Sequence, residues 1–302
     1  MQIPQLKNLL KDFDKNIIYD QDLKKKNWFN IGGKSKVFYK AKNLKDLVKF
    51  LKLLDNKEKI FIIGAGSNTL ISDSIFDGVV IKLSKNFNRI SLLKEDVIIS
   101  GSAVLDKSLS EFAAEKNLSG FEFLSCIPGS IGGGIKMNAG CFGREFKDIL
   151  LSIQALDKTG NLITIPSNDI NFDYRDTDLP EDLIFLSASF KGVKSDSSKV
   201  NSEVRKMKSL KEKNQPMKIK TGGSTFKNPI NQTNKKVWEL IRESVSIDTK
   251  FGDAHISEKH SNFFVNKGNA TFNDMKKLID FVSKKVLEKT GIKLDKEIKI
   301  LE

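Results

Sequence analysis

The sequence has little of what most site chemistries require. Only two cysteines, Cys126 and Cys141, occur in 302 residues, too few for a disulfide framework or a zinc cluster. Both lie in apolar or glycine-rich sequence and read as free thiols of a reducing compartment. The two histidines, His255 and His260, nearly exclude a multi-histidine metal site, and their spacing does not bring them together on a helix face. No metal is expected. Of 51 basic residues, five are arginine: Arg89, Arg144, Arg175, Arg205 and Arg242. No apolar run approaches the ~20 residues that span a bilayer. The opening MQIPQLKNLLKDFDK lacks the continuous apolar core of a signal peptide, so a cytoplasmic protein without membrane contact is expected.

What is present fits a globular chain, with 39% apolar and 29% charged residues. Its length allows two or three domains. The net charge is +13, and residues 199–302 hold 23 Lys and Arg against 13 Asp and Glu. Such a surface attracts polyanions, whether nucleic acid or a diphosphate; a solvated lysine-rich face explains it equally.

Along the chain, residues 1–26 read as a charged helix and linker. Strands are expected at 36–40, at KIFIIG ending on Gly64, and near 79–83 and 97–100. Two amphipathic helices are expected. One runs through Leu44, Leu47, Val48, Leu51 and Leu54; the other spans 108–116. Strands near 151–156, 162–165 and 184–190 then form a second lobe. The polar, serine-rich run 191–202 reads as a linker. A helix through Val204, Met207 and Leu210 follows, then a long helix over 272–289 and a short strand over 298–301. No regular βαβα rhythm is visible, so the fold class is α+β. The expected division is 1–198, in lobes of about 1–85 and 86–198, followed by a domain at 199–302.

Two glycine segments stand out. Gly64-Ala65-Gly66-Ser67-Asn68-Thr69 follows a strand as a phosphate-binding turn does, although Thr69 occupies the third glycine position of a dinucleotide fingerprint and no long helix follows. A plain turn is the alternative. The second runs from Ile127 to Gly143 with six glycines between 129 and 143, set among Ile131, Ile135 and Met137. A flexible linker carries no such apolar residues. Close approach of backbone to a large ligand explains both features, and tight core packing is the competing explanation.

With Asn27-Trp28-Phe29-Asn30-Ile31-Gly32-Gly33 before them, these segments resemble the FAD-binding region of the UDP-N-acetylenolpyruvoylglucosamine reductase family. Later segments resemble it in order: Tyr174-Arg175, Gln215-Pro216, Gly223-Ser224-Thr225-Phe226-Lys227-Asn228-Pro229, Ser257-Glu258-Lys259-His260-Ser261-Asn262-Phe263 and Leu294-Asp295-Lys296-Glu297-Ile298. The likeness runs from about residue 27 to the end. It implies a two-lobed FAD domain of the vanillyl-alcohol-oxidase type and a smaller α+β substrate domain. It also implies NADPH as reductant and a UDP-linked enolpyruvyl sugar as substrate, in a step of peptidoglycan synthesis. The stretch between Arg175 and Ser224 is short, as in the compact class without an extra substrate loop. Trp28 stands where threonine is common, Cys126 where glycine is usual, and Thr177 where serine is common.

The resemblance assigns Arg175, Ser224 and Glu297 to catalysis. Hydride addition to a vinyl carbon conjugated to a carboxylate leaves negative charge on the α-carbon and carboxylate. A planar guanidinium at Arg175 suits that charge, whereas residues alone suggest an ion pair with Asp173 or Asp176. Ser224 matches the donor of the α-carbon proton, though a serine there also reads as a turn cap. Glu297 matches the terminal glutamate; beside a developing enolate it is expected to be protonated or hydrogen-bonding, with a raised pKa. Tyr174, Lys227 and Asn228 are expected to touch substrate. Gly64, Gly66, Ser67, Asn68, Gly129, Ser130, Gly132, Gly133 and Asn138 are expected to touch FAD, mostly through amides. His260 reads as a structural hydrogen bonder. A monomer that binds no nucleic acid is expected. The alternatives are a flavin oxidase or dehydrogenase with another substrate, and a basic nucleic-acid-binding protein, for which the three tyrosines and two tryptophans offer little stacking surface.

Overall fold

A computed structural model of the chain describes residues 3–216 and 219–302. The chain divides into two units. The larger comprises 1–21, 35–65 and 77–210, and the smaller comprises 22–34, 66–76 and 211–302.

The larger unit has two cores, one per lobe. In the first lobe, the four-stranded sheet has the order Ile17–Asp22, Lys34–Ala41, Phe76–Leu83, Ile60–Ile62. The last two strands run parallel. The helix Leu44–Leu54 begins because Asn43 accepts the Asp46 amide, and it stops at Asp55, which is left-handed at φ 47°. Its buried face, Leu47, Phe50, Leu51 and Leu54, contributes roughly 2 kcal/mol per side chain by burial. Phe13, Tyr39 and Phe50 pack ring on ring at its centre. Residues 17–22, expected as part of a helix and linker, form an edge strand whose burial alternates with the period of two.

In the second lobe an antiparallel sheet has the order Leu162–Pro166, Leu150–Leu156, Ile184–Lys191, Val97–Gly101, Ile90–Lys94. The helix Asp106–Glu115 and the short helix Ile131–Lys136 belong to the same lobe, with Leu109, Ala113, Ile131 and Ile135 in its core.

The smaller unit is built on the sheet Thr221–Ser224, Phe263–Asn266, Ala254–Ile256, Lys250–Phe251. Over its core lies the helix Phe272–Thr290, which buries Met275, Leu278, Ile279, Val282 and Val286. Thr271 and Asp274 cap its start reciprocally, and Gly291 at φ 72° ends it. The terminal strand Lys299–Leu301 pairs in parallel with Thr69–Ile71.

A further expectation needs correction. The run 191–202 is no linker: a strand ends at Lys191 and a helix occupies Ser197–Asn214. Asp196 accepts the Ser198 amide at 2.7 Å, so the serine-rich stretch is a helix start. The division at 198/199 also differs from what the contacts give. Met207 packs on the second-lobe core, carrying the larger unit to Leu210, while 22–34 and 66–76 fold with the smaller unit. Among the described residues no helix is long and apolar enough to cross a membrane.

Candidate active site

In the larger unit the glycines fall into two kinds. A Cβ on Gly64 would lie 2.4 Å from Ser130 Oγ, so the turn after strand Ile60–Ile62 and the second glycine segment meet there. A Cβ on Gly129 would lie 2.5 Å from Asp106 Oδ2, and one on Gly134 would lie 2.3 Å from the Phe146 ring. Those glycines answer to the chain's own packing. The Gly132 amide donates to Ser102 O at 2.9 Å. Gly133 is different: among the described residues a Cβ there would find only Ser130 Oγ, at 3.8 Å. Ser130 itself is buried and precedes the helix Ile131–Lys136. Lys82 Nζ donates to Gly64 O at 3.1 Å, which puts a cation beside this turn.

Asp106 was not singled out from the sequence. It is wholly buried, and burial holds its pKa well above the usual carboxylate range, partly offset by the Gly129 amide. Nothing in the local pattern DKSLSEFAAE sets it apart from an exposed first-turn aspartate.

Asn138 is fully buried with φ 40°. Its Nδ2 donates to Glu145 Oε2 at 3.1 Å and to Asp173 O at 3.0 Å, and its Oδ1 accepts the Lys147 amide at 3.1 Å. Arg175 adopts φ 57°, uncommon for a non-glycine residue. Its Nη1 pairs with Glu145 Oε1 at 3.4 Å, its Nη2 donates to Gly140 O at 2.8 Å, and its Cζ lies 4.9 Å from the centre of the Tyr174 ring. The Thr177 hydroxyl donates to Lys136 O at 3.2 Å.

In the smaller unit, strand pairing assembles the expected residues. Gly66 lies so close to Lys26 and Asn27 that a Cβ would come within 2.2 Å of Lys26 O, and its φ of 70° suits glycine. Gly66 O accepts the amide of Trp28, whose side chain is 44% exposed. Asn68 Nδ2 donates to Glu297 O at 3.0 Å, and Asn68 O accepts the Lys299 amide. Ser224 ends the strand Thr221–Ser224 opposite Phe263. The next residue, Thr225, donates its amide to Asn262 O and accepts the Glu297 amide, each at 2.8 Å. Ser224 and Glu297 are thereby held on adjoining segments. Phe29 packs against Gly222, where a Cβ would be 2.3 Å from the ring, while Gly223 at φ 80° has nothing within 4 Å of that position among the described residues. The Lys227 amide donates to Asp295 O at 2.8 Å. Asn228 Oδ1 accepts the Val237 amide at 3.0 Å and so caps the helix Val237–Ser244. His260 is a structural partner: its Nδ1 accepts the Asn262 amide at 3.3 Å, and burial, with the charge of Arg242, lowers its pKa.

A mixed α+β chain with one glycine-bearing turn resting on a second glycine segment has the build of a flavin-dependent oxidoreductase. The FAD binding domain family model matches residues 35–166, and the model of the UDP-N-acetylenolpyruvoylglucosamine reductase C-terminal domain matches 215–301. The chain is 62% identical over 302 residues to a Pelagibacter ubique UDP-N-acetylenolpyruvoylglucosamine reductase, covering 100% of both chains. It is 45% identical over 280 residues to the Rickettsia typhi enzyme of that name, covering 93% of this chain and 94% of that one. Among solved structures, the reductase from Thermus caldophilus superposes with a TM-score of 0.80 at 26% identity, covering 95% of this chain and 98% of the other. The chain belongs to the UDP-N-acetylenolpyruvoylglucosamine reductase family.

Proposed function

We propose that this chain reduces the enolpyruvyl group of UDP-N-acetylenolpyruvoylglucosamine to the lactyl ether of UDP-N-acetylmuramate through Arg175, Ser224 and Glu297. The reaction is FAD-dependent and draws its electrons from NADPH, as the family and the FAD domain indicate. Neither alternative, another flavin oxidase nor a nucleic-acid binder, accounts for a reductase-type C-terminal domain over 215–301.

The residues present fit FAD. The open position at Gly133 beside Ser130, and the turn at Gly64 with Lys82 on its carbonyl, give a flavin dinucleotide backbone to lie against and a cation for its diphosphate. Gly129 and Gly132, in the same segment, pack on Asp106 and Ser102. Bound there, FAD supplies a two-electron relay from NADPH to the vinyl carbon.

Arg175 holds the substrate carboxylate and the charge that develops on it; the guanidinium plane suits two oxygens at once. Ser224 delivers a proton to the α-carbon, and the open Gly223 beside it lets the substrate approach. Glu297 lies on the segment that bonds to Thr225 and to Asn68, so its backbone is fixed from both sides. In protonated or hydrogen-bonding form it steadies the enolate without repelling it. Tyr174 and Lys227 contribute ring and charge to the bound sugar nucleotide. Asn228, whose Oδ1 caps a helix, positions the Lys227 segment. The protein works as a monomer in the cytoplasm.

The observation that carries this reading is the Glu297–Thr225 main-chain bond, which sets the segment of Glu297 beside the residue that follows Ser224, the two residues that the family motifs assign to one reaction. The test is a visible spectrum of the purified protein under anaerobic conditions. A flavin band that bleaches with NADPH and returns with the UDP-enolpyruvyl sugar is expected. Bleaching without return would discard the substrate.

A further inference from the structure

We infer that Glu145 is a positioning residue for the reaction: it orients the Arg175 guanidinium toward the substrate carboxylate. The inference rests on the proposed role of Arg175.

Arg175 has a backbone conformation that costs on the order of 1 kcal/mol or more for a non-glycine residue, at φ 57°. Such a conformation persists only where the surroundings hold it. The guanidinium is held on three sides, by Glu145 Oε1 at 3.4 Å, by Gly140 O at 2.8 Å and by the Tyr174 ring at 4.9 Å. Glu145 does more than pair with the arginine. Its second oxygen accepts Asn138 Nδ2 at 3.1 Å and pairs with Lys147 Nζ at 2.9 Å. Asn138 in turn holds the carbonyl of Asp173, two residues before Arg175, at 3.0 Å. One carboxylate therefore fixes both the head of Arg175 and, through Asn138, the strand that leads into it.

Gly140 makes this arrangement possible. A Cβ there would lie 2.7 Å from Glu145 Cγ and 3.2 Å from Arg175 Nη1. The side chains of Arg175 and Glu145 are only 16% and 18% exposed, so their pairing is weakly screened.

The experiment compares Glu145→Ala, Glu145→Gln and Arg175→Ala by rapid mixing and by thermal melting of the apo-protein. Glu145→Ala is expected to bind FAD and be bleached by NADPH at the wild-type rate. Its reoxidation by the UDP-enolpyruvyl sugar should slow by ~10–100-fold, the size seen when an outer partner of a working group is removed. Glu145→Gln keeps an acceptor oxygen for the guanidinium but turns a donor toward Asn138 and Lys147, so it should recover part of the lost reoxidation rate. In an Arg175→Ala background, Glu145→Ala should add nothing further, because the two act as one unit.

Normal reoxidation in Glu145→Ala, with slow reoxidation in Arg175→Ala, would overturn the role of Glu145 alone. Normal reoxidation in Arg175→Ala would overturn the reading of Arg175 beneath it. Equal losses of melting temperature, flavin reduction and reoxidation in both Glu145 variants would make Glu145 a structural residue and sink the proposal.

Discussion

The glycine segment of the larger unit and the Ser224 region of the smaller one carry their residues in different ways. The first is one short stretch, 129–134, in which Gly129 and Gly134 are required by Asp106 and Phe146 and Gly133 between them stays open. The second is knitted from four separated segments by main-chain bonds: Trp28 to Gly66, Asn68 to Lys299, Thr225 to Glu297 and Lys227 to Asp295. Even so, the same local device recurs, since packed Gly222 is followed by open Gly223. A backbone that bends around a ligand leaves its mark in composition. A site made by strand pairing leaves only scattered polar residues, legible one motif at a time.

The sharpest way to break that comparison is to place valine at neighbouring glycines. Gly134→Val forces a side chain into the buried Phe146 ring, and overpacking of this kind costs ~1–3 kcal/mol or more. Its melting temperature should fall by many degrees. Gly133→Val should melt near wild type yet purify without stoichiometric FAD, read from the ratio of visible to protein absorbance. Equal melting losses for the two would mean that Gly133 is a packing glycine as well.

A smaller effect is expected at Arg175. Arg175→Lys keeps the charge and loses the fork, and one charge-assisted hydrogen bond of ~1.5–3 kcal/mol corresponds to about 10–100-fold in rate. Reoxidation by substrate should slow by that factor, while flavin reduction by NADPH is unchanged.

The smallest effect concerns Asp106. Its folded pKa is raised by burial, so the folded chain keeps a proton where the unfolded chain has lost it. Stability therefore falls as pH climbs above the unfolded carboxylate value of ~3.9, until the buried group ionises as well. Asp106→Asn removes that slope. The melting temperature of the variant should gain on wild type as pH rises from acid toward neutral, and a pH-independent difference would contradict the raised pKa.

Much of this molecule is legible in its sequence, for identifiable reasons. The helix expected over 272–289 is found as Phe272–Thr290, because its apolar period and the Thr271 and Gly291 caps agree. The strands around 36–40, 79–83 and 184–190 are found because β-branched and aromatic residues cluster there. The helix expected through Val204, Met207 and Leu210 is found within Ser197–Asn214, but its start at Ser197 was hidden because its first turns bury only Val200 and its capping Asp196 resembles any loop aspartate. Glu145 and Lys82 were hidden for another reason: each acts through a partner 30 or 18 residues away, a separation that no local pattern encodes. Nor could composition assign 22–34 and 66–76 to the smaller unit, since that membership rests on pairings such as Thr69–Ile71 with Lys299–Leu301.

The central claim is that proton delivery by Ser224 is separable from flavin reduction. Rapid mixing of Ser224→Ala, first with NADPH and then with the UDP-enolpyruvyl sugar, tests it most directly. Reduction at the wild-type rate, followed by reoxidation slowed by ~10²–10⁴-fold, the usual worth of a positioned acid, is the expected result. Reoxidation at the wild-type rate would contradict it and move the proton donor to another residue.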